Sequence, residues 1–123
     1  MSLVVRAFPL RESVVDFEAF VAALQGPRQA EAAAFYQEHG ITHESWHLQQ
    51  TENGPSVIVV TIVSKPEETA PKYAQACDDF ASWFKGQVLT LSGVDPTIAP
   101  LGPPTTEVFR WTGSPEVAKT FAA

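Results

Sequence analysis

The chain has little positive charge, a single cysteine and no long hydrophobic run, and each shortage removes a class of function. Eight Lys and Arg stand against fourteen Asp and Glu in 123 residues, for a net charge of -6. No two basic residues are adjacent. Surfaces that track phosphates need clustered cations, so nucleic acid is not an expected partner. The acidic balance also disfavours anionic membrane surfaces. Cys77 is the only cysteine, so no disulfide can form within the chain and nothing calls for an oxidising compartment. No apolar run approaches the ~20 residues of a membrane span. Segment 1–10 carries Arg6 inside its apolar stretch and no small-residue cleavage site after it, which reads as a strand rather than a signal peptide. A cytoplasmic protein is the default expectation. A serine-nucleophile motif, a phosphate-binding glycine loop and a cysteine metal cluster are also missing.

What is present describes an ordinary globular domain, with 45% hydrophobic and 18% charged residues. The length fits one domain, and we expect it over 1–112 with 113–123 as a C-terminal tail. Leu3-Val4-Val5-Arg6-Ala7-Phe8 is β-rich and Pro9 ends it. Ser13 with Asp16 three residues on resembles a capping box, and Val14, Phe17, Val21 and Leu24 recur at helical spacing. Gly26 and Pro27 break that helix, an alanine-rich piece continues to Glu38, and Gly40 follows His39 as a C-terminal stop. Segment 57–63, Val-Ile-Val-Val-Thr-Ile-Val, is apolar on both faces and reads as a central strand. The Asn53-Gly54 turn before it requires an antiparallel partner, and 41–50 is the only segment that can serve. Tyr73, Cys77, Phe80, Phe84, Val88 and Leu91 step by three and four as one core-facing helix that buries Cys77, and Gly93 closes it. Four prolines make 96–104 a loop, 108–112 reads as a last strand, and the tail holds one short helix.

The order β-α-β-β-α-β predicts an α+β, ferredoxin-like fold, with a four-stranded antiparallel sheet and helices on one face. The open face then needs a cover, and a second copy of the chain is the usual one.

Beyond element order, Gly40-Ile41-Thr42-His43-Glu44-Ser45-Trp46-His47-Leu48-Gln49, Trp83-Phe84-Lys85 and Leu91-Ser92-Gly93-Val94-Asp95 resemble a small bacterial family of unknown function within the dimeric α+β barrel superfamily. The resemblance spans about 6–111. It implies two ferredoxin-like sheets packed into a barrel across a homodimer. It implies no particular reaction, because such barrels host cofactor-free monooxygenases, isomerases, haem enzymes and proteins without assigned activity.

His43-Glu44-Ser45-Trp46-His47 also spells H-E-x-x-H, the zinc-protease signature. On a helix the two imidazoles would share a face within ~5–6 Å. On a strand their backbones stand roughly 13 Å apart, too far to share one zinc in the normal way. The strand reading leaves zinc hydrolysis a remote alternative, and no metal is expected. Alternation places His43, Ser45, His47 and Gln49 on one face, with Glu44, Trp46 and Leu48 on the other. Trp46 and Leu48 suit the helix-packed side, which aims His43 and His47 into the barrel as acid/base groups. One bulge would reverse this and present Glu44 and Trp46 there. In the first strand, Leu3, Val5 and Ala7 are small enough to lie under helices, which leaves Arg6 on the other face with Val4 and Phe8. Arg6 is then either an anion or carbonyl contact for a ligand or half of a salt bridge, for which Glu44 is a partner. Arg110 poses the same question on the last strand, where an exposed edge position is the simpler answer. Tyr73 is a further pocket residue, although aromatics at such spacing usually build core. Asp78, Asp79 and Lys85 read as a solvated helix face. No cofactor is expected: a haem would have to use His39, His43 or His47, and none has a haem context. The leading expectation is a small organic ligand held between sheet and helices, with cofactor-free monooxygenase-like or isomerase-like chemistry. The alternative is a non-catalytic dimeric binding or interaction protein.

Overall fold

The structure, a computed structural model, describes residues 1–96, 98, 101 and 104–121. Three strands form its sheet: β1 (Ser2–Pro9), β2 (Ile41–Thr51) and β3 (Gly54–Val63). Their spatial order is β1-β3-β2, antiparallel throughout. The apolar run 57–63 takes the centre, as its two-sided hydrophobicity predicts. Helices α1 (Val14–Gln25) and α2 (Gln29–Glu38) lie between β1 and β2 in sequence. Ser13 caps α1 by accepting the Asp16 N–H at 3.1 Å, and the break at Gly26-Pro27 separates the two helices. Gly40 turns the chain from α2 into β2 with φ +69°, a conformation glycine adopts without Cβ strain.

After β3 the expected single helix is two. Helix α3 (Pro66–Gln75) starts with Pro66, and α4 (Asp79–Ser92) is capped by Asp78, whose carboxylate accepts the Ala81 N–H at 3.4 Å. The break puts Cys77 on the surface, not in the core. Lys85 is not a solvated partner of the aspartates either. Its Nζ donates to the Tyr73 and Ala74 carbonyls at 3.1 Å each, which satisfies acceptors that the end of α3 leaves open. None of the described helices is long and apolar enough to cross a membrane.

One face of the sheet carries the core. Phe8, Val57 and Val59 pack there with Phe17 and Phe20 of α1, Phe35 of α2 and Phe80, Phe84 and Val88 of α4. Phe84 is its hub, with ring contacts to Phe20, Phe35, Tyr36, Trp46, Tyr73 and Phe80. Phe8 corrects the expected face of β1. Because its ring packs edge-on against Trp46 with centroids 6.2 Å apart, Val4, Arg6 and Phe8 take the helix side. The smaller Leu3, Val5 and Ala7 go to the open face, so burying one phenylalanine outweighs the fit of three small residues.

The expected fourth strand at 108–112 is not formed. The chain returns to β1 for one antiparallel bridge between Arg6 and Pro104, and Thr105 donates its N–H to the Val5 carbonyl at 2.9 Å. It then leaves the sheet. Glu107 and Arg110 pair through two 2.7 Å hydrogen bonds, and the Arg110 guanidinium lies 4.6 Å from the centre of the Phe121 ring. These contacts tie the segment to α5 (Pro115–Thr120) and not to β1. The expected loop at 96–104 lies mostly outside the described residues.

Candidate functional site

Two properties of β2 build the site. The first is its register. Ile41 pairs with Val63 but His43 pairs with Ile62, so Thr42 is the extra residue of a bulge. The bulge allows Ile41 and Glu44, three apart, to face the same side. The second is the alternation from residue 43 onward, which holds. Trp46 enters the core among Phe17, Phe20 and Phe84, and His43, Ser45 and His47 stand on the opposite, open face.

Between sheet and helices lies a partly open cavity of about 70 Å³, room for a few waters or the inner part of a small ring compound. Its apolar wall includes Val4, Phe35, Ile41, Val63, Phe84 and Leu101. Arg6, Tyr36, His39, Glu44, Thr61 and Tyr73 supply the polar groups.

Glu44 is the anchor of this polar set. Its carboxylate accepts from Trp46 Nε1 at 3.0 Å and from Thr61 Oγ1 at 3.0 Å, and the Tyr36 hydroxyl donates a further hydrogen bond. Burial pushes its pKa above the ordinary carboxylate value, and these donors together with the nearby His43 pull the other way without cancelling it. Arg6 is half-buried and feels the Glu44 charge. Burial lowers its pKa and Glu44 opposes that shift. The same low-polarity setting raises the Tyr36 and Tyr73 hydroxyls, with Glu44 adding to both shifts.

His39 and Tyr73 complete the site. His39 is 3% exposed and Tyr73 6%. His39 Nδ1 lies 2.8 Å from the Phe35 carbonyl. A carbonyl only accepts, so Nδ1 carries a proton, and Nε2 is the ring's remaining polar atom. Neither His39 Nε2 nor the Tyr73 hydroxyl has a hydrogen-bond partner among the described residues. The cavity therefore offers an unused ring nitrogen and an unused hydroxyl beside a carboxyl and a guanidinium.

Of the residues singled out by sequence, Arg6, Glu44 and Tyr73 come together here. Trp46 contributes from behind, as the indole that holds Glu44. His43 and His47 are not part of the cavity, because the sheet lies between. On the open face their Nε2 atoms flank Ser45 Oγ, at 3.2 and 2.9 Å. The helical geometry that a zinc-protease centre requires is absent, and no three metal-binding side chains converge among the described residues. Arg110 is on the C-terminal segment, away from the cavity. Sequence reasoning missed His39, Tyr36 and Thr61. The only signal for His39 was its place before Gly40, at the end of a helix that packs on the sheet.

The fold and site define an α+β domain with an internal polar cavity. Comparison with family models, curated proteins and solved structures returned no match.

Proposed function

We propose that the protein binds a small organic molecule in this cavity, one with an apolar ring or short chain and one or two oxygen-bearing groups, and that Glu44 exchanges a proton with it. The observation that carries the reading is the pair of buried, unpartnered groups, His39 Nε2 and the Tyr73 hydroxyl. Buried polar atoms without partners are uncommon and costly in folded proteins, at roughly 1–3 kcal/mol each. A ligand hydroxyl donating to His39 Nε2 and a carbonyl accepting from Tyr73 would satisfy both. Arg6 suits a developing negative charge on that carbonyl oxygen.

A carboxyl with a raised pKa is a competent acid/base group near neutral pH. An isomerisation needs nothing more. With a β,γ-unsaturated carbonyl compound, the Glu44 carboxylate takes a proton from the carbon between the carbonyl and the double bond, the C–H electrons move into a dienolate, and the new carboxylic acid returns the proton to the γ carbon as the double bond moves into conjugation. No co-reactant is consumed. Cofactor-free oxidation would start from the same proton abstraction and then require dioxygen as the oxidant. Non-catalytic binding would use the same contacts with no transfer.

Ligand-observed NMR with phenol and cyclohexane-1,3-dione as probes tests the reading. Ala70 of α3 also lines the cavity, so binding to the wild type and its loss in Ala70→Phe is the expected result. Faster exchange of the dione's C2 deuterons with wild type than with Glu44→Gln supports acid/base function; equal exchange with retained binding leaves a binding protein. Binding that survives Ala70→Phe unchanged would refute the site.

A further inference from the structure

The open face of the sheet carries a row of side chains that the cavity does not use. His43, Ser45 and His47 point the same way from alternate positions of β2. His43 Nε2 and His47 Nε2 lie 3.2 and 2.9 Å from Ser45 Oγ, so two ring nitrogens and an oxygen gather at one point. Both imidazoles are exposed and Ser45 is partly buried. Their neighbours on β3 are Ile62, Val60 and Ile58, which offer no polar side chain, so whatever meets the row beyond these three groups comes from solvent.

The spacing is that of a coordination plane. A metal ion about 2 Å from each ligand atom sets neighbouring ligands of a square plane about 3 Å apart and opposite ligands about 4 Å apart. The two N···O separations match the first distance. The second requires the two nitrogens, which are at most about 6 Å apart, to close by up to ~2 Å, and exposed imidazoles do this by turning about their own side-chain bonds.

The direction of approach selects the metal. The backbones of His43 and His47 stand roughly 13 Å apart with Ser45 midway, so the rings reach an ion from opposite ends. That is the trans relation of a square-planar or tetragonal site, which Cu(II) favours. A tetrahedral zinc site instead needs the nitrogens about 3.4 Å apart and bent to one side of the ion. Imidazole suits copper, and of the divalent first-row ions copper binds nitrogen and oxygen ligands most tightly.

We propose that the open face binds one Cu(II) ion, with His43 Nε2 and His47 Nε2 trans to each other, Ser45 Oγ between them and water opposite the hydroxyl. Without metal, the Ser45 hydroxyl donates to one Nε2 and accepts from the other, whose ring holds its proton there. On binding, that ring carries the proton on Nδ1 instead, which frees both Nε2 lone pairs for the ion. On a helix H-E-x-x-H is a zinc motif; on this strand its outer residues and the serine between them make a copper site. The ion lies across the sheet from the cavity, and the inference does not rest on the ligand reading there.

Copper(II) sulfate titrated into the full chain near neutral pH tests it, read by electron paramagnetic resonance and electron spin-echo modulation. The expected result is one ion per chain, a tetragonal spectrum and modulation from two equatorial imidazoles. His43→Ala and His47→Ala should each leave modulation from one imidazole at most. Each should also weaken binding at least about tenfold, because the second imidazole no longer binds intramolecularly, with an unchanged far-UV circular dichroism spectrum. Wild-type binding no tighter than that of both variants, including none at all, would overturn the proposal, as would a loss confined to one variant. A spectrum indifferent to both would place the copper elsewhere, as an adventitious ion only. Cobalt(II) chloride reads the geometry. The weak visible absorption of a five- or six-coordinate ion is expected, whereas an intense tetrahedral band that either variant abolishes would show the rings closing as in a zinc site and overturn the trans assignment.

Discussion

Replacing Glu44 with Gln should make the protein more stable at neutral pH and flatten its pH dependence. The carboxylate and the amide have the same shape. In the variant the amide oxygen accepts from Trp46 Nε1, which can only donate, and the NH2 group donates to the hydroxyl oxygen of Thr61 or Tyr36, which can turn to accept. The hydrogen bonds at 3.0 Å therefore have replacements, and what changes is the cost of holding a charge in this setting. Burial raises the folded-state pKa of Glu44 above its unfolded value, about 4.3 in a free chain. Folding accordingly favours the protonated form. The stability this contributes is fully present below about pH 4.3 and is lost as pH rises through the folded-state pKa. Within that window the wild type should lose up to about 1.4 kcal/mol per pH unit relative to Glu44→Gln. For a domain of this size that corresponds to a difference of roughly 5 °C in Tm per pH unit. Urea titrations of both proteins in steps from about pH 4 to about pH 8 measure it directly, since the other titrating groups cancel in the difference. A stability difference that stays constant across this range would refute the account of Glu44 as a buried, proton-holding carboxyl.

Three further outcomes follow from the packing. Phe84→Ala removes the hub of the aromatic core and should cost about 3–5 kcal/mol in urea unfolding, with the cavity losing part of its wall. Gly93→Ala puts a Cβ at φ +72° and against the Arg11 guanidinium. It should cost at least about 1 kcal/mol, and thermal unfolding in an Arg11→Ala background should recover the steric part but not the backbone part. His43→Ala and His47→Ala lie across the sheet from the cavity, so each should change stability by no more than ~0.5 kcal/mol and leave probe binding to the cavity unaltered in the NMR titration.

Local signals in the sequence were reliable where one residue decides one feature. Ser13, the Gly26-Pro27 break, Gly40, the Asn53-Gly54 turn and Gly93 all act through the backbone of their own neighbourhood, and the apolar run 57–63 leaves only a central position open to it. The strand at 43–47 was legible for the same reason, because the turn after it demands a partner. Errors arose where two readings competed over the same residues. The stripe from Tyr73 to Leu91 suggested one helix, whereas Asp78 could start a new one, and the capping interaction won. In β1 the choice of face depended on Phe8 meeting Trp46 about forty residues away, which no periodicity in 3–8 records. The segment 108–112 has the composition of a strand, but composition does not say which edge, or whose, it pairs with.

The candidate site was legible only in part. Arg6 stood out because a guanidinium between Val4 and Phe8 is costly to desolvate, and Glu44 was its natural partner. The bulge at Thr42, which turns Ile41 and Glu44 to one side, leaves no mark in the sequence. Nor can the unused valence of His39 Nε2 and the Tyr73 hydroxyl be read from spacing. It follows from the Phe35 carbonyl taking the other ring nitrogen and from α2 and α3 closing over the sheet.

The central claim is that these two groups wait for a ligand, and a crystal of the wild-type protein soaked in phenol tests it most directly. The account predicts ordered density in the cavity, with an oxygen within hydrogen-bond reach of both His39 Nε2 and the Tyr73 hydroxyl. A cavity closed by its own side chains, with His39 and Tyr73 hydrogen-bonded inside the protein and phenol bound elsewhere or not at all, would contradict it.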